Sequence, residues 1–363
     1  MRWYNNKGKI KKSEETNVKK LINTLMRLIL MTFAVGILLL LVIIMVVSVK
    51  HHQKLQEEAS LLVAPGKMVS VDGHQMHVMS NETSADVTYV FLHDAKQTDN
   101  SIALQPLMDL LQDKAIAYVD RSGNGFSASA HASKDVASMT EETRAALTAA
   151  DIAAPYILVA EGTAGIEAVY WSNTYPDEVA GIVGIDATYP AECDGYQMTW
   201  DTKLVSWMML GYCRIGGHRY ATGMYPTNQP QLYTDKQMEL RDALISKSYY
   251  NKDTYHELMA TYDNAAAAGN IPSDIPILMI WSNPLLDPYY SESEEVQAEV
   301  ADIIKANPEY DFAGQYNAAR LQYFEDYSNV KCIEMAGPSG LIDYNPSGLA
   351  EKIEDFSKYV QKD

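Results

Sequence analysis

"VAEGTAGIEA", residues 159–168, is the stretch on which the fold is decided. The apolar run "YILVA" (156–160) leads into a turn of small residues, and "GIEAVYWSN" resumes beyond it. A short two-sided apolar run, a tight turn and then a longer periodic segment read as strand, sharp turn and helix. The turn contains Gly162, Thr163, Ala164 and Gly165, but neither serine nor cysteine.

Outward from this turn the same alternation recurs. "MVSVDGHQMHVMS" (68–80) alternates in period two around Asp72-Gly73, a hairpin signal. The runs "VTYVFLH" (87–93), "AIAYVD" (115–120) and "GIVGID" (181–186) are each followed by a loop and a helical pattern, such as "TEETRAALTAAD". Strands apolar on both sides, alternating with helices, indicate a mostly parallel central sheet with helices on both faces. The alternation pauses at 191–270, a helix-rich and aromatic stretch, and resumes with "IPILMIWS" (275–282) and "VKCIEMA" (330–336). A helical cap placed there stands over the carboxyl edge of the sheet, where open α/β sheets bind ligands. Trp200, Trp207 and Met208 in that cap are then either ordinary packing or the wall of a pocket for an apolar ligand.

Over residues 68–360 the sequence resembles the α/β-hydrolase family. "VFLHDAKQ" (90–97) stands where that family has a strand, His-Gly and the oxyanion loop, and "VDRSGNGFS" (119–127) matches the turn after the next strand. "PYILVAEGTAGIEAVYWSNTYPDEVAGIVGID" (155–186) matches strand, nucleophile elbow, helix and following strand without a gap. The resemblance implies the α/β-hydrolase fold and a site of serine, acid and histidine, in that chain order. The histidine takes the serine's proton, the acid orients the histidine, and backbone N–H groups hold the oxyanion.

Those positions are degenerate here. The ungapped match places Gly162 at the nucleophile. Shifting it by one residue offers Thr163, with Glu161 nearby, as a rearranged site, and Ser122 is a further hydroxyl to weigh. Thr163 also has an ordinary reading, as a helix-start threonine whose hydroxyl binds nearby backbone N–H groups. In "MAGPSGLIDYNPSGLAEKI" (335–353), which resembles the closing loop, Ser339 occupies the histidine's place. His93 belongs to the oxyanion turn, and the last histidine in the chain is His256. Asp287 is the natural acid position and Asp186 the alternative. Asp94 replaces the glycine of His-Gly and brings negative charge to a turn built to stabilise it. Glycine at a strained elbow keeps the turn while removing the nucleophile. The resemblance therefore implies the fold of a hydrolase and a pseudoenzyme, with a rearranged esterase or acyl hydrolase as the alternative.

The N-terminus adds a membrane to the reading. Residues 28–49, "LILMTFAVGILLLLVIIMVVSV", are 22 residues without a charge, enough to cross ~30 Å of hydrocarbon as a helix. A cleaved signal peptide would have an apolar region of only about 7–15 residues. Of the net charge of −18, residues 1–27 carry +6 and the remainder −24. A basic tail (1–27) before a transmembrane helix (28–49) predicts a cytoplasmic N-terminus. A linker (50–67) and an extracytoplasmic domain (68–363) follow, giving a single-pass protein of the cell membrane. The acidic body argues against nucleic-acid binding. No ligand spacing for a metal and no cofactor motif stands out, and the expected partners are a small apolar ligand or an envelope protein. Cys193, Cys213 and Cys332 form no disulfide framework, although a Cys193–Cys213 pair is one option.

Overall fold

The computed structural model describes residues 2–130, 133–221, 230–283 and 312–360. Helix α1 (Arg2–Glu58) holds the apolar run, and its residues 19–58 are long and apolar enough to cross a membrane. The helix continues through the polar segment expected as a stalk and ends only eight residues before the first strand.

The strands are β1 (Lys67–Val71), β2 (His74–Ser80), β3 (Thr88–Leu92), β4 (Ala115–Val119), β5 (Tyr156–Glu161), β6 (Val179–Ile185), β7 (Ile277–Asn283) and β8 (Val330–Ala336). They form one sheet in the order β1-β2-β4-β3-β5-β6-β7-β8. β1 and β2 make the antiparallel hairpin, turning at Asp72 (φ 45°) and Gly73 (φ 85°), and every pair from β4 to β8 is parallel. Between and after them come α2 (Asn100–Ala103), α3 (Gln105–Leu110), α4 (Val136–Ala149), α5 (Ala164–Thr174), α6 (Trp200–Arg214), α7 (Asp235–Ser248), α8 (Lys252–Ala268), α9 (Phe312–Phe324), α10 (Leu341–Tyr344) and α11 (Pro346–Val360).

Period-two alternation along β5 divides the interior into two layers. Leu158 and Ala160 face a core containing Ile166 and Trp171 of α5 and Leu147 of α4. Ile157 and Val159 face the other, with Leu107 of α3 and Leu349 and Ile353 of α11. Trp171 is fully buried and donates its indole N–H to Glu178 at 2.9 Å. Burying a side chain of this size stabilises the fold by about 2–3 kcal/mol. The inserted segment between β6 and β7 carries α6, α7 and α8, but the end of α8 packs on α5 rather than standing wholly above the sheet edge. Cys193 and Cys213 are separate buried thiols, so no disulfide joins them.

Strand register assembles the site. Leu92 pairs with Ala160, so His93 and Asp94 leave the sheet beside Glu161 and Gly162. Glu161 pairs with Ile185, which brings Asp186 to the same edge, and Asn283 pairs with Ala336, which delivers Gly337–Ser339.

Candidate active site

β5 ends at Glu161, Gly162 turns with φ +56°, and α5 starts at Ala164. The backbone of the turn is fixed on three sides: Gly162 N–H donates to Ile185 O at 3.3 Å, while Gly162 O accepts from Thr188 N at 2.8 Å and Gly165 N at 3.2 Å. This is the strand–turn–helix expected from "VAEGTAGIEA", with glycine at the left-handed position.

Asp94 decides the chemistry of the turn. Its Oδ2 accepts from Thr163 N–H at 3.2 Å and from the Thr163 hydroxyl at 3.1 Å, and its Oδ1 accepts from Lys96 N–H at 3.0 Å. Ala95 N–H in turn donates to Thr163 Oγ1 at 3.4 Å. The N–H after the nucleophile position is an oxyanion donor in an elbow enzyme. Here a carboxylate of this same chain occupies it. A Cβ on Gly162 would lie 2.6 Å from Asp94 Oδ2, closer than real contacts allow, so the glycine and the aspartate fit one another.

No protein-family model matches the chain. It is 27% identical over 320 residues to YbdG, an uncharacterized protein of Bacillus subtilis (strain 168), covering 86% of this chain and 92% of that one. Among solved structures it is similar to an epoxide hydrolase variant from Bacillus megaterium (14% identity, TM-score 0.54, 80% of this chain and 100% of that one). It is also similar to a loop variant of haloalkane dehalogenase DbeA from Bradyrhizobium elkanii (15%, 0.54, 82% and 97%) and to Cfl2 from Burkholderia cenocepacia (17%, 0.56, 80% and 94%). The chain has the α/β-hydrolase fold.

Within that fold a cavity of about 640 Å³ opens above Gly162. Gly162 and Ser339 both line it, so the positions matched to nucleophile and histidine share one space. Asp287 lies outside the described residues. Asp186 bends back, its Oδ1 accepting from Ser282 N–H at 2.7 Å and Ser282 Oγ at 2.9 Å, which ties two strand ends together. Among the described residues the cavity's one histidine is His93. Its Nε2 lies 3.1 Å from Val119 O and its Nδ1 3.3 Å from Asp94 O, so both nitrogens face backbone carbonyls. Burial, followed by the charge of Arg121, holds its pKa below the usual value, and Arg121 Nε also donates to His93 O at 3.2 Å. His93 therefore props the loop. His218 packs against His51 with ring centroids 5.6 Å apart, and His256 is exposed beside Tyr255.

The alternative nucleophiles are placed elsewhere. Thr163 is absent from the cavity lining and borders a separate small space with Arg121, Glu167 and Glu257. It stands at the helix start, as the ordinary reading has it, but its hydroxyl caps no N–H of α5; it accepts the backbone N–H of Ala95 and donates to Asp94. Ser122 is buried between Lys134 Nζ at 2.5 Å and Glu142 Oε2 at 3.0 Å, also away from the cavity.

The cavity is acidic. Asp94, Asp99, Glu161, Asp186 and Asp343 line it, against Lys96 and Arg241. Arg241 Nε donates to Asp99 Oδ2 at 2.7 Å. Burial, then the charges of Asp94 and Asp186, push Glu161 up to about 8, so it is largely protonated near neutral pH. Burial likewise raises Asp99 and Asp186 above the usual carboxylate range.

Trp200, Trp207 and Met208 neither pack inside nor line the cavity. They are 77%, 62% and 59% exposed, which corrects both readings of their role. The cap reaches the cavity through Arg241, Ile245 and Tyr249, which sequence reasoning passed over. Their spacing of four puts them on one helical face, yet nothing in the sequence distinguishes that face from the neighbouring ones. Arg121 was also passed over: it pairs with Glu167 at 2.8 Å and Glu257 at 3.2 Å and clamps the "DRSGNGFS" turn to α5 and α8.

Proposed function

We propose that this is a membrane-anchored, extracytoplasmic α/β-hydrolase-fold protein without hydrolase activity, which acts by binding a ligand in the cavity above Gly162. The observation that carries the reading is the Asp94 carboxylate on Thr163 N–H, in the space a Cβ at position 162 would need. A nucleophile is missing, Ser339 holds the place matched to histidine, and the remaining asset of a triad-less enzyme is blocked. An intact oxyanion hole with substrate binding sustains ~10³–10⁴-fold acceleration without a triad. A fixed carboxylate at that N–H repels the developing oxyanion and competes for its donor. Anchoring rests on the apolar stretch of α1 and on the basic segment before it, which also directs the N-terminus to the cytoplasm.

The lining changes the expected ligand. With Glu161 largely protonated and Asp99 paired to Arg241, Asp94, Asp186 and Asp343 still outnumber Lys96, and that balance favours a cationic or donor-rich molecule over the acyl or apolar ligand expected from the aromatic cap residues. Purified full-length protein should hydrolyse p-nitrophenyl esters no faster than buffer and take up no fluorophosphonate label. Turnover above buffer that disappears in Gly162→Ala would overturn the reading. The hydrogen bond from the Thr163 hydroxyl to Asp94 keeps one enzymatic alternative specific: labelling or turnover abolished by Thr163→Ala would establish a threonine nucleophile.

A further inference from the structure

The exposed apolar side chains of α6 are arranged in a stripe. Trp200, Leu204, Trp207, Met208 and Gly211 follow i, i+4, i+7, i+8, i+11, one face of a helix, and the four large side chains are between 46% and 77% exposed. A contiguous apolar face of this kind on a folded domain marks a contact with something else.

The structure ties this helix to the membrane-exit end of α1. The uncharged run ends at Val49, and His51 sits one residue beyond Lys50. At ~1.5 Å per residue, His51 lies about 3 Å past the end of the run. A Cβ on Gly216 would meet His51 Cγ at 2.3 Å, and Arg219 Nε donates to His51 Nδ1 at 2.8 Å. Arg219 also grips Glu58 through two nitrogens, at 2.9 Å and 2.6 Å. α6 ends at Arg214, two residues before Gly216. Its carboxyl end is therefore held at the level of the headgroup layer, which is about 5–7 Å thick on each side of a bilayer. Because α1 runs unbroken from the apolar run into this clamp, it sets the orientation of the cap relative to the membrane.

We infer that α6 is an interfacial helix, with its Trp200–Leu204–Trp207–Met208 face seated in the same membrane that α1 crosses. The inference rests on the anchored reading above. Tryptophan is enriched at the headgroup level, where its ring is amphipathic, and interfacial helices combine such a face with basic residues. α6 carries Lys203 and Arg214 against Asp201, a net +1 in a chain whose residues beyond 27 total −24, while on α1 Lys50 and Lys54 are balanced by Glu57 and Glu58. That local charge suits an anionic lipid surface, whereas the rest of the domain does not.

The test uses the full chain reconstituted into phosphatidylcholine–phosphatidylglycerol vesicles, with ordinary or dibrominated acyl chains. Brominated lipid should quench tryptophan emission at least about twofold more in the wild type than in W200F/W207F, because only membrane-seated rings meet the acyl chains. Far-UV circular dichroism and the thermal melt of the double variant should match the wild type. Equal quenching in both proteins overturns the inference. Blue-shifted but unquenched emission from the two rings also overturns it, and assigns the face to a second copy or a protein partner. Flotation separates the two readings: protein that fails to float with vesicles removes the anchor and this inference together, whereas floating protein without differential quenching removes only this inference.

Discussion

Substituting Gly162 by serine restores the residue type of an elbow nucleophile, and the structure predicts a penalty that depends on Asp94. A non-glycine residue at φ +56° costs about 1–3 kcal/mol in backbone strain. The new Cβ also meets Asp94 Oδ2 at 2.6 Å and Asp94 Cβ and Cγ at 3.2 Å, so the carboxylate must withdraw from Thr163. Giving up that charged acceptor beside the cavity, where water partly replaces it, adds about 1–2 kcal/mol. Gly162→Ser alone should therefore destabilise by about 2–5 kcal/mol, the sum of strain and displacement. In an Asp94→Gly background only the strain remains, about 1–3 kcal/mol. A double-mutant cycle should return a coupling of about 1–2 kcal/mol, with Gly162→Ser tolerated better when Asp94 is absent. The cycle is measured by urea denaturation of the full chain in detergent, followed by the emission of buried Trp171 and Trp281. Coupling within about 0.3 kcal/mol of zero would refute the argument that the two positions are mutually fitted.

Three further outcomes follow from the site and the clamp. Glu161 rises from 4.5 to about 8 on folding, so the folded state holds its proton more tightly; stability present below pH 4.5 is lost as pH rises toward 8. Glu161→Gln should flatten that decline, worth at most about 4 kcal/mol across the window, and thermal melts at pH 5 and pH 8 check it. Arg219→Ala leaves buried Glu58 without its bidentate partner; it should cost about 1–3 kcal/mol and expose the 50–58 segment of α1 to protease in detergent-solubilised protein. Gly162→Ser and Asp94→Gly, combined with Ser339→His, should raise p-nitrophenyl ester hydrolysis above that of any of the three double variants, because nucleophile, donor and base act as a unit. A triple variant that stays folded and no faster than the wild type would show that Gly162 and Ser339 do not face each other productively across the cavity.

How much of this was legible beforehand depends on the range of the interaction concerned. The fold was readable because its determinants are local. Period-two apolar runs at 87–93, 115–120, 156–160 and 181–186 specify buried strands, Asp72-Gly73 specifies a hairpin, and small residues at 162–165 specify a tight turn. The absence of a serine at 162 and of a histidine at 339 is likewise a matter of residue identity at positions an ungapped match supplies. The Asp94–Thr163 contact was only half legible: Asp94 stood out as a charge beside the turn, but its bonds to Thr163 span 69 residues and depend on the β3–β5 register that pairs Leu92 with Ala160. The helical period of α6 showed an apolar face without showing what it faces; that Trp200 and Trp207 are exposed, and that the following residues 216–219 are held against His51 and Glu58 of α1, only the structure shows. Sequence by itself settled the architecture and the residue types at the two matched positions, Gly162 and Ser339, since propensity and turn chemistry act over a few residues. Tertiary structure alone decided which groups meet across the sheet edge, since those contacts are fixed by strand register and helix packing between segments 70–170 residues apart.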